Sequence, residues 1–241
     1  MTQETFTPSS LPRAVLWDLD GTLVDSEPLW MDAESRLMVE HKLPWTHDDA
    51  MLMVGNALPD SAEIMRSRGL RLPVRHIIDR LLDDVVARMA TEISWRPGAK
   101  ALLTALQEAG VPQALVTMSE MPMADAVVAN LGFDPFSVRV TGERVEKGKP
   151  DPEPYLMALA LLDAEHSGTE GPVTAANSVA IEDSVPGSTA SLGAGLKTVG
   201  VPLHAPLAPR EGMVLVRDLT EVTPQFLAGL LTAPVTTEVS S

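Results

Sequence analysis

Two aspartates spaced one residue apart, Asp18 and Asp20, follow the apolar run Ala14-Val15-Leu16-Trp17 and stand directly before Gly21. A short buried strand would deliver both carboxylates to its carboxyl end, and glycine permits the sharp turn that follows. Asp18 is then a candidate nucleophile, with Asp20 beside it as a candidate for proton transfer. Three further polar groups follow apolar strands or turns. Thr117 and Ser119 follow Gln113 to Val116, Lys149 sits between Gly148 and Pro150, and Glu182-Asp183 follows Val179 to Ile181.

Carboxylates of Asp18, Asp183 and Glu182, with the main-chain carbonyl of Asp20, make an oxygen-only donor set suited to Mg2+. Without a cation their mutual repulsion would raise their pKa values. Lys149 offers an ammonium to balance an aspartate and a phosphoryl group, while Thr117 and Ser119 offer hydrogen bonds to phosphoryl oxygens. No Walker-type Gly-rich loop is present. Each signal also has a plainer reading. Asp and Gly are common in turns, Thr117 and Ser119 fit helix caps, Lys149 fits a solvated surface, and Glu182-Asp183-Ser184 fits a cap for the next helix. Convergence of all four at one sheet edge would decide between the readings.

That convergence depends on the elements. Strands are expected at Ala14 to Trp17, Gln113 to Val116, Val138 to Val140, Val179 to Ile181 and Leu196 to Val199. Helices are expected between them: a face of Ala101, Leu102, Ala105 and Leu106, then Ala124 to Leu131, Tyr155 to Leu162 and Ser188 to Leu192. Alternating strands and helices predict an α/β fold with a Rossmann-like parallel sheet core, whose ligands bind at the carboxyl ends of the strands. From about Ser26 to Ile93 the pattern is helical throughout. Leu29, Ala33, Leu37 and Met38 share one face, Ala62, Ile64 and Met65 begin another, and Ile77 to Met89 carry a third stripe. An all-helical cap domain, residues 25–94, is therefore expected as an insertion in a core of residues 1–24 and 95–233, with 234–241 a disordered tail.

The chain has 241 residues, 45% of them hydrophobic, and no Cys, so disulfides and thiolate chemistry are excluded. A net charge of -15, from 33 acidic against 18 basic residues, disfavours nucleic acid and anionic membranes as partners. No apolar run is long enough to span a membrane, and the start of the chain lacks a basic and apolar leader pattern. A cytoplasmic monomer acting on a small phosphorylated metabolite is the expectation. The His residues 41, 47, 76, 166 and 204 have no metal-ligand spacing and read as surface or packing groups, and Trp45 and Trp95 read as packing anchors.

The ordered set Asp18-Leu19-Asp20-Gly21-Thr22-Leu23-Val24-Asp25-Ser26-Glu27-Pro28, Leu115 to Ser119, Gly148 to Tyr155 and Ile181 to Gly187 resembles the haloacid dehalogenase superfamily of phosphohydrolases. It is similar to the helical-cap branch that holds beta-phosphoglucomutase and sugar-phosphate phosphatases. The resemblance implies that Asp18 forms an aspartyl-phosphate, while Asp20 protonates the leaving alcohol and activates water. Thr117 would bind the phosphoryl group, Lys149 would bridge it to Asp18, and Asp183 with Glu182 would anchor Mg2+. Asp20 weighs against dehalogenation, which in the family lacks the second aspartate. Lys42, the only lysine between Asp25 and Lys100, has no setting that suits a Schiff base. Family mutases carry a histidine where Trp30 stands and an arginine in the loop matching Gly55 to Ser61, which has none. A phosphatase is thus expected, with a phosphomutase or an inactive phosphometabolite-binding protein as alternatives. Trp30 and Asn56 are the expected cap contacts to substrate.

Overall fold

The computed structural model describes residues 11–232 apart from 54, 55, 92, 167, 169 and 170. Six strands, β1 (Ala14–Trp17), β2 (Gln113–Val116), β3 (Phe136–Val140), β4 (Ser178–Glu182), β5 (Lys197–Gly200) and β6 (Met213–Leu215), form one sheet in the order β3-β2-β1-β4-β5-β6. Every pairing is parallel, with Leu16 opposite Ala114 on one side and Ala180 on the other. β1 and β4 are buried at every position because helices cover both faces.

Alternation sorts the strand side chains into two cores. Val15, Trp17, Leu115, Val179 and Ile181 meet α5 (Ala99–Glu108), α6 (Met121–Ala129) and α9 (Pro224–Thr232) on one face. Leu16, Ala114, Val116 and Ala180 meet α7 (Glu153–His166) and α8 (Val185–Gly193) on the other. Trp17 is fully buried, and its indole N–H donates to Gln113 Oε1 at 2.9 Å, which locks β1 to β2 just below the carboxyl edge of the sheet. Losing so large a buried side chain typically costs about 3–5 kcal/mol.

Four helices are inserted between β1 and β2: α1 (Glu27–Glu40), α2 (His47–Met51), α3 (Leu58–Ser67) and α4 (Val74–Met89). Pro28 and Glu27 open α1, and a reciprocal Thr46–Asp49 capping box opens α2. Their apolar stripes, including Leu37, Met65, Ile77, Leu81 and Val85, join the first core cluster. The chain crosses between core and cap twice, side by side: Val24 bridges Trp95 antiparallel, Asp25 N–H donates to the Ser94 carbonyl at 2.8 Å, and Arg96 N–H donates to that of Leu23 at 2.9 Å. Arg75 of α4 pairs with Glu120 of the core at 2.6 Å, so the cap is docked over the sheet edge.

Several expectations need correction. The segment expected as a loop to Ser61 becomes α3 from Leu58 onward, because Pro59 suits a first helical turn, while Gly55 lies outside the described residues. On α5 Leu102 and Leu106 are buried as expected, but Leu103 is buried and Ala101 exposed, so the inward face is shifted toward Leu103. β6 has no counterpart in the sequence reading; with three residues at the sheet edge it is too short to show alternation. Strands β3, β4 and β5 and helices α6, α7 and α8 exist near their expected positions with shifted ends. The expected tail 234–241 lies outside the described residues. No helix among the described residues is long and apolar enough to cross a membrane.

Candidate active site

All four polar groups meet at the carboxyl edge of the sheet. Asp18 follows the last residue of β1, and its N–H donates to the Ile181 carbonyl at 3.1 Å, so the aspartate inherits the register of β4. Asp18 Oδ1 accepts from Lys149 Nζ at 2.7 Å, and the same ammonium donates to Glu182 Oε1 at 2.6 Å. The Tyr155 hydroxyl also donates to Glu182 Oε1, at 2.5 Å. These side chains are buried. Asp18 Oδ2 is buried too and has no hydrogen-bond partner. One oxygen of Asp18 is therefore fixed by an ammonium and the other is open to a new bond.

Asp20 is held differently. Ser26 Oγ donates to its Oδ1 at 2.5 Å, and Ser119 Oγ at 2.7 Å and Thr117 Oγ1 at 3.3 Å donate to its Oδ2. Burial and the neighbouring Asp18 raise its pKa, and hydrogen bonds from Ser26, Ser119 and Trp30 oppose the rise. A carboxyl so placed suits proton exchange. Thr117 and Ser119 thus spend their hydroxyls on Asp20 in this arrangement, and Ser119 N–H turns back to Thr117 Oγ1 at 3.0 Å.

Asp18, Glu182 and Asp183 can each offer a carboxylate oxygen such that all three lie within 4.8 Å of one another. Burial, then repulsion from Asp18, pushes Asp183 up to about 9; burial does the same to Glu182, up to about 7, although Lys149 opposes it. For Lys149 burial disfavours the charge, but Asp18 and Glu182 more than reverse this and hold it above its ordinary range. A cluster of carboxyls against a single bonded ammonium fits a divalent cation of the hard, oxygen-seeking kind. Asp20 takes no part in this carboxylate group; its side chain belongs to the serines. Two glycines make the crowding feasible. A Cβ on Gly21, where φ is +84°, would lie 2.1 Å from Asp183 Oδ2, and one on Gly187 would lie 1.9 Å from Glu182 Oε2. Ser184 does cap α8, accepting from Gly187 N–H at 3.2 Å, so the plainer reading of that motif holds beside the chemical one.

A cavity of about 450 Å³ lies between this edge and the cap. Asp18, Asp20, Thr117, Ser119, Lys149 and Asp183 line its floor, while Trp30 and Asn56 line the cap side. Asn56 spends its Nδ2 on the Leu52 carbonyl at 2.9 Å. Sequence reasoning missed four groups. Tyr155, Glu27 and Glu34 were given no role in the site, and His204 was left as packing or surface. Glu27, Glu34 and His204 line the cavity, and His204 Nε2 lies 3.0 Å from Asp25 Oδ1. Burial pushes Glu27 up to about 7 and Glu34 up to about 8. The signal for the glutamates was helical phase, because positions 27, 30 and 34 share a face.

Comparison with known proteins agrees with this architecture. The family profile of the haloacid dehalogenase-like hydrolases matches residues 12–195. The chain is 33% identical over 216 residues to the validoxylamine A 7'-phosphate phosphatase of Streptomyces hygroscopicus subsp. limoneus, covering 87% of this chain and 95% of that one. It is 32% identical over 213 residues to hexitol phosphatase A of Escherichia coli strain K12, covering 88% and 93%. The crystal structure of CbbY from Rhodobacter sphaeroides in complex with phosphate superposes with a TM-score of 0.75 at 27% identity, covering 88% of this chain and 96% of that one.

Proposed function

The chain belongs to the haloacid dehalogenase-like hydrolases and carries their phosphatase chemistry, and from that premise we propose that it hydrolyses a small sugar or polyol phosphate through an aspartyl-phosphate at Asp18. The observation that carries this reading is the asymmetry of Asp18, which lines a cavity large enough for a small ester: Lys149 holds Oδ1, and Oδ2 has no hydrogen-bond partner. Asp18 Oδ2 attacks phosphorus, and the bond from phosphorus to the leaving oxygen breaks. Asp20 gives its proton to that oxygen, then takes one from the water that cleaves the acyl phosphate. Such proton transfer contributes about 10²- to 10⁴-fold. Lys149 stays hydrogen-bonded to the attacking carboxylate and offsets charge on the transferring group. Thr117 and Ser119 hold Asp20 in place before substrate arrives and are near enough to turn toward phosphoryl oxygens. Monoester hydrolysis demands roughly 20 kcal/mol of transition-state stabilisation or more. Mg2+ held by Asp18, Asp183 and Glu182, with the Asp20 carbonyl, would supply the charge neutralisation that one ammonium cannot.

Water is the acceptor in this reading. On the cap side the described lining residues include Glu27 and Glu34 but no Lys or Arg, so the second phosphate of a bisphosphate would find no cation to hold it. That weighs against a phosphomutase. The intact set Asp18, Asp20, Lys149 and Asp183 weighs against an inactive binding protein. The test is phosphate release from a panel of sugar, polyol and nucleoside monophosphates, with Mg2+ and with chelator, for wild type and Asp18→Asn. Release that needs Mg2+ and falls more than ~10³-fold in Asp18→Asn is expected. Equal rates for the two proteins would overturn the proposal.

A further inference from the structure

Resting on the phosphatase reading, we infer that Glu34 selects the leaving group, by hydrogen-bonding a hydroxyl of a polyol or sugar chain that extends from the phosphoryl site into the cap. Glu34 is only 5% exposed, lines the cavity, and has Oε2 buried with no hydrogen-bond partner. A buried polar atom left unpaired is costly, and α1 gains nothing in folding from a carboxyl here. A substrate hydroxyl would satisfy it.

The setting fits a carbohydrate. Trp30, one helical turn before Glu34, and Leu81 of α4 line the same cavity and offer apolar surface to carbon faces, and Ser61 adds a hydroxyl. Seven residues of helix put Glu34 about 10 Å along α1 from Glu27, which is the end that feels the charge of Asp20. A leaving group must therefore be several carbons long to touch both ends. Burial, with repulsion from Glu27, pushes Glu34 up to about 8, so near neutrality it carries a proton and can donate as well as accept.

The experiment compares kcat/KM for sorbitol 6-phosphate and for hexyl phosphate, which has similar length and no hydroxyls, in wild type, Glu34→Gln and Glu34→Leu. Wild type should prefer sorbitol 6-phosphate. Glu34→Leu should lower the ratio of the two values about 10- to 100-fold, mostly through KM, and Glu34→Gln, which keeps a donor and an acceptor, should retain most of it. A ratio unchanged in Glu34→Leu, or no preference in wild type, overturns the assignment while leaving the phosphatase reading intact. So does a wild-type preference for glucosamine 6-phosphate over glucose 6-phosphate that both variants abolish, because that result makes Glu34 a partner for an amine. If Glu34→Leu fails to fold, an unchanged ratio in both Glu34→Gln and Glu34→Ala overturns it equally. Absence of phosphate release from every ester overturns the phosphatase reading, and this inference with it.

Discussion

A single methyl group at Gly21 tests the proposed metal centre without replacing any ligand. Gly21 has φ +84°, where an alanine costs about 1–2 kcal/mol of backbone strain. At this chain length that lowers Tm by about 2–8 °C. The larger effect is steric. The new Cβ would stand 2.1 Å from Asp183 Oδ2 and 2.6 Å from its Cγ, whereas real contacts of a Cβ essentially never fall below 3.0 Å. The carboxyl must retreat by 0.9 Å or more, the difference between 3.0 and 2.1 Å. Magnesium tolerates little departure from its ligand distance of about 2.0–2.1 Å, so Asp183 would leave the coordination shell.

Gly132→Ala supplies the control. Its φ is +78°, and a Cβ there meets nothing within 4 Å, so it carries the backbone strain alone. The assay is the Mg2+ concentration that gives half-maximal phosphate release, read beside the thermal unfolding of both variants. Gly21→Ala should need about 10- to 100-fold more Mg2+ than wild type, and Gly132→Ala should need the same as wild type. Equal Mg2+ requirements in the two variants would refute the role given to Asp183.

Two other outcomes are expected. With chelator present, stability should fall as pH rises from about 4 to about 9: Asp183 goes from an ordinary 3.8 to about 9 on folding and Glu182 from 4.5 to about 7, so over this window the folded state holds protons that the unfolded chain has lost. Excess Mg2+ should flatten that slope in denaturant titrations, and a chelated protein that gains stability with pH would contradict it. Tyr155→Phe removes a buried donor to Glu182 and should lower unfolding free energy by about 1–3 kcal/mol, with the denaturant slope unchanged; an unaltered midpoint would mean that Lys149 and Ser184 satisfy Glu182 without it.

Much of the floor of the site was legible because strand ends carry their own punctuation. Asp18, Thr117 and Asp183 each follow an apolar run short enough to be a buried strand, and a parallel sheet brings such ends together whatever their separation in the chain. Lys149 follows no strand directly, yet Gly148 and Pro150 marked it, and its ammonium does reach Asp18. What could not be read was how hydroxyls are shared. Thr117 and Ser119 were expected to face a phosphoryl group, and both donate to Asp20, whose carboxylate lies at the end of the adjacent strand. Tyr155 was hidden for a similar reason: a tyrosine on a helix with an apolar face reads as packing until its hydroxyl finds a buried glutamate.

The cap side resisted the same reasoning because its signals are violations of a pattern, and a hydrophobic stripe is read by its matches. Along α1 the series Leu29, Ala33, Leu37 forms one ridge, and Trp30, Glu34, Met38 forms the adjacent one, each spaced by four residues. All six are buried, so Glu34 is a carboxyl set between two buried apolar side chains in a ridge that folding alone would fill with leucine. Its neighbours Asp32, Ser35 and Arg36 make the local sequence look like a solvated face, where Arg36 does pair with Asp32 on the exposed side. Helical phase separates the two cases and composition does not. A buried carboxyl oxygen left without a partner costs stability, and such a cost points to something outside the chain that repays it. On α1 that reasoning selects one residue, and its cavity leads directly to Asp20.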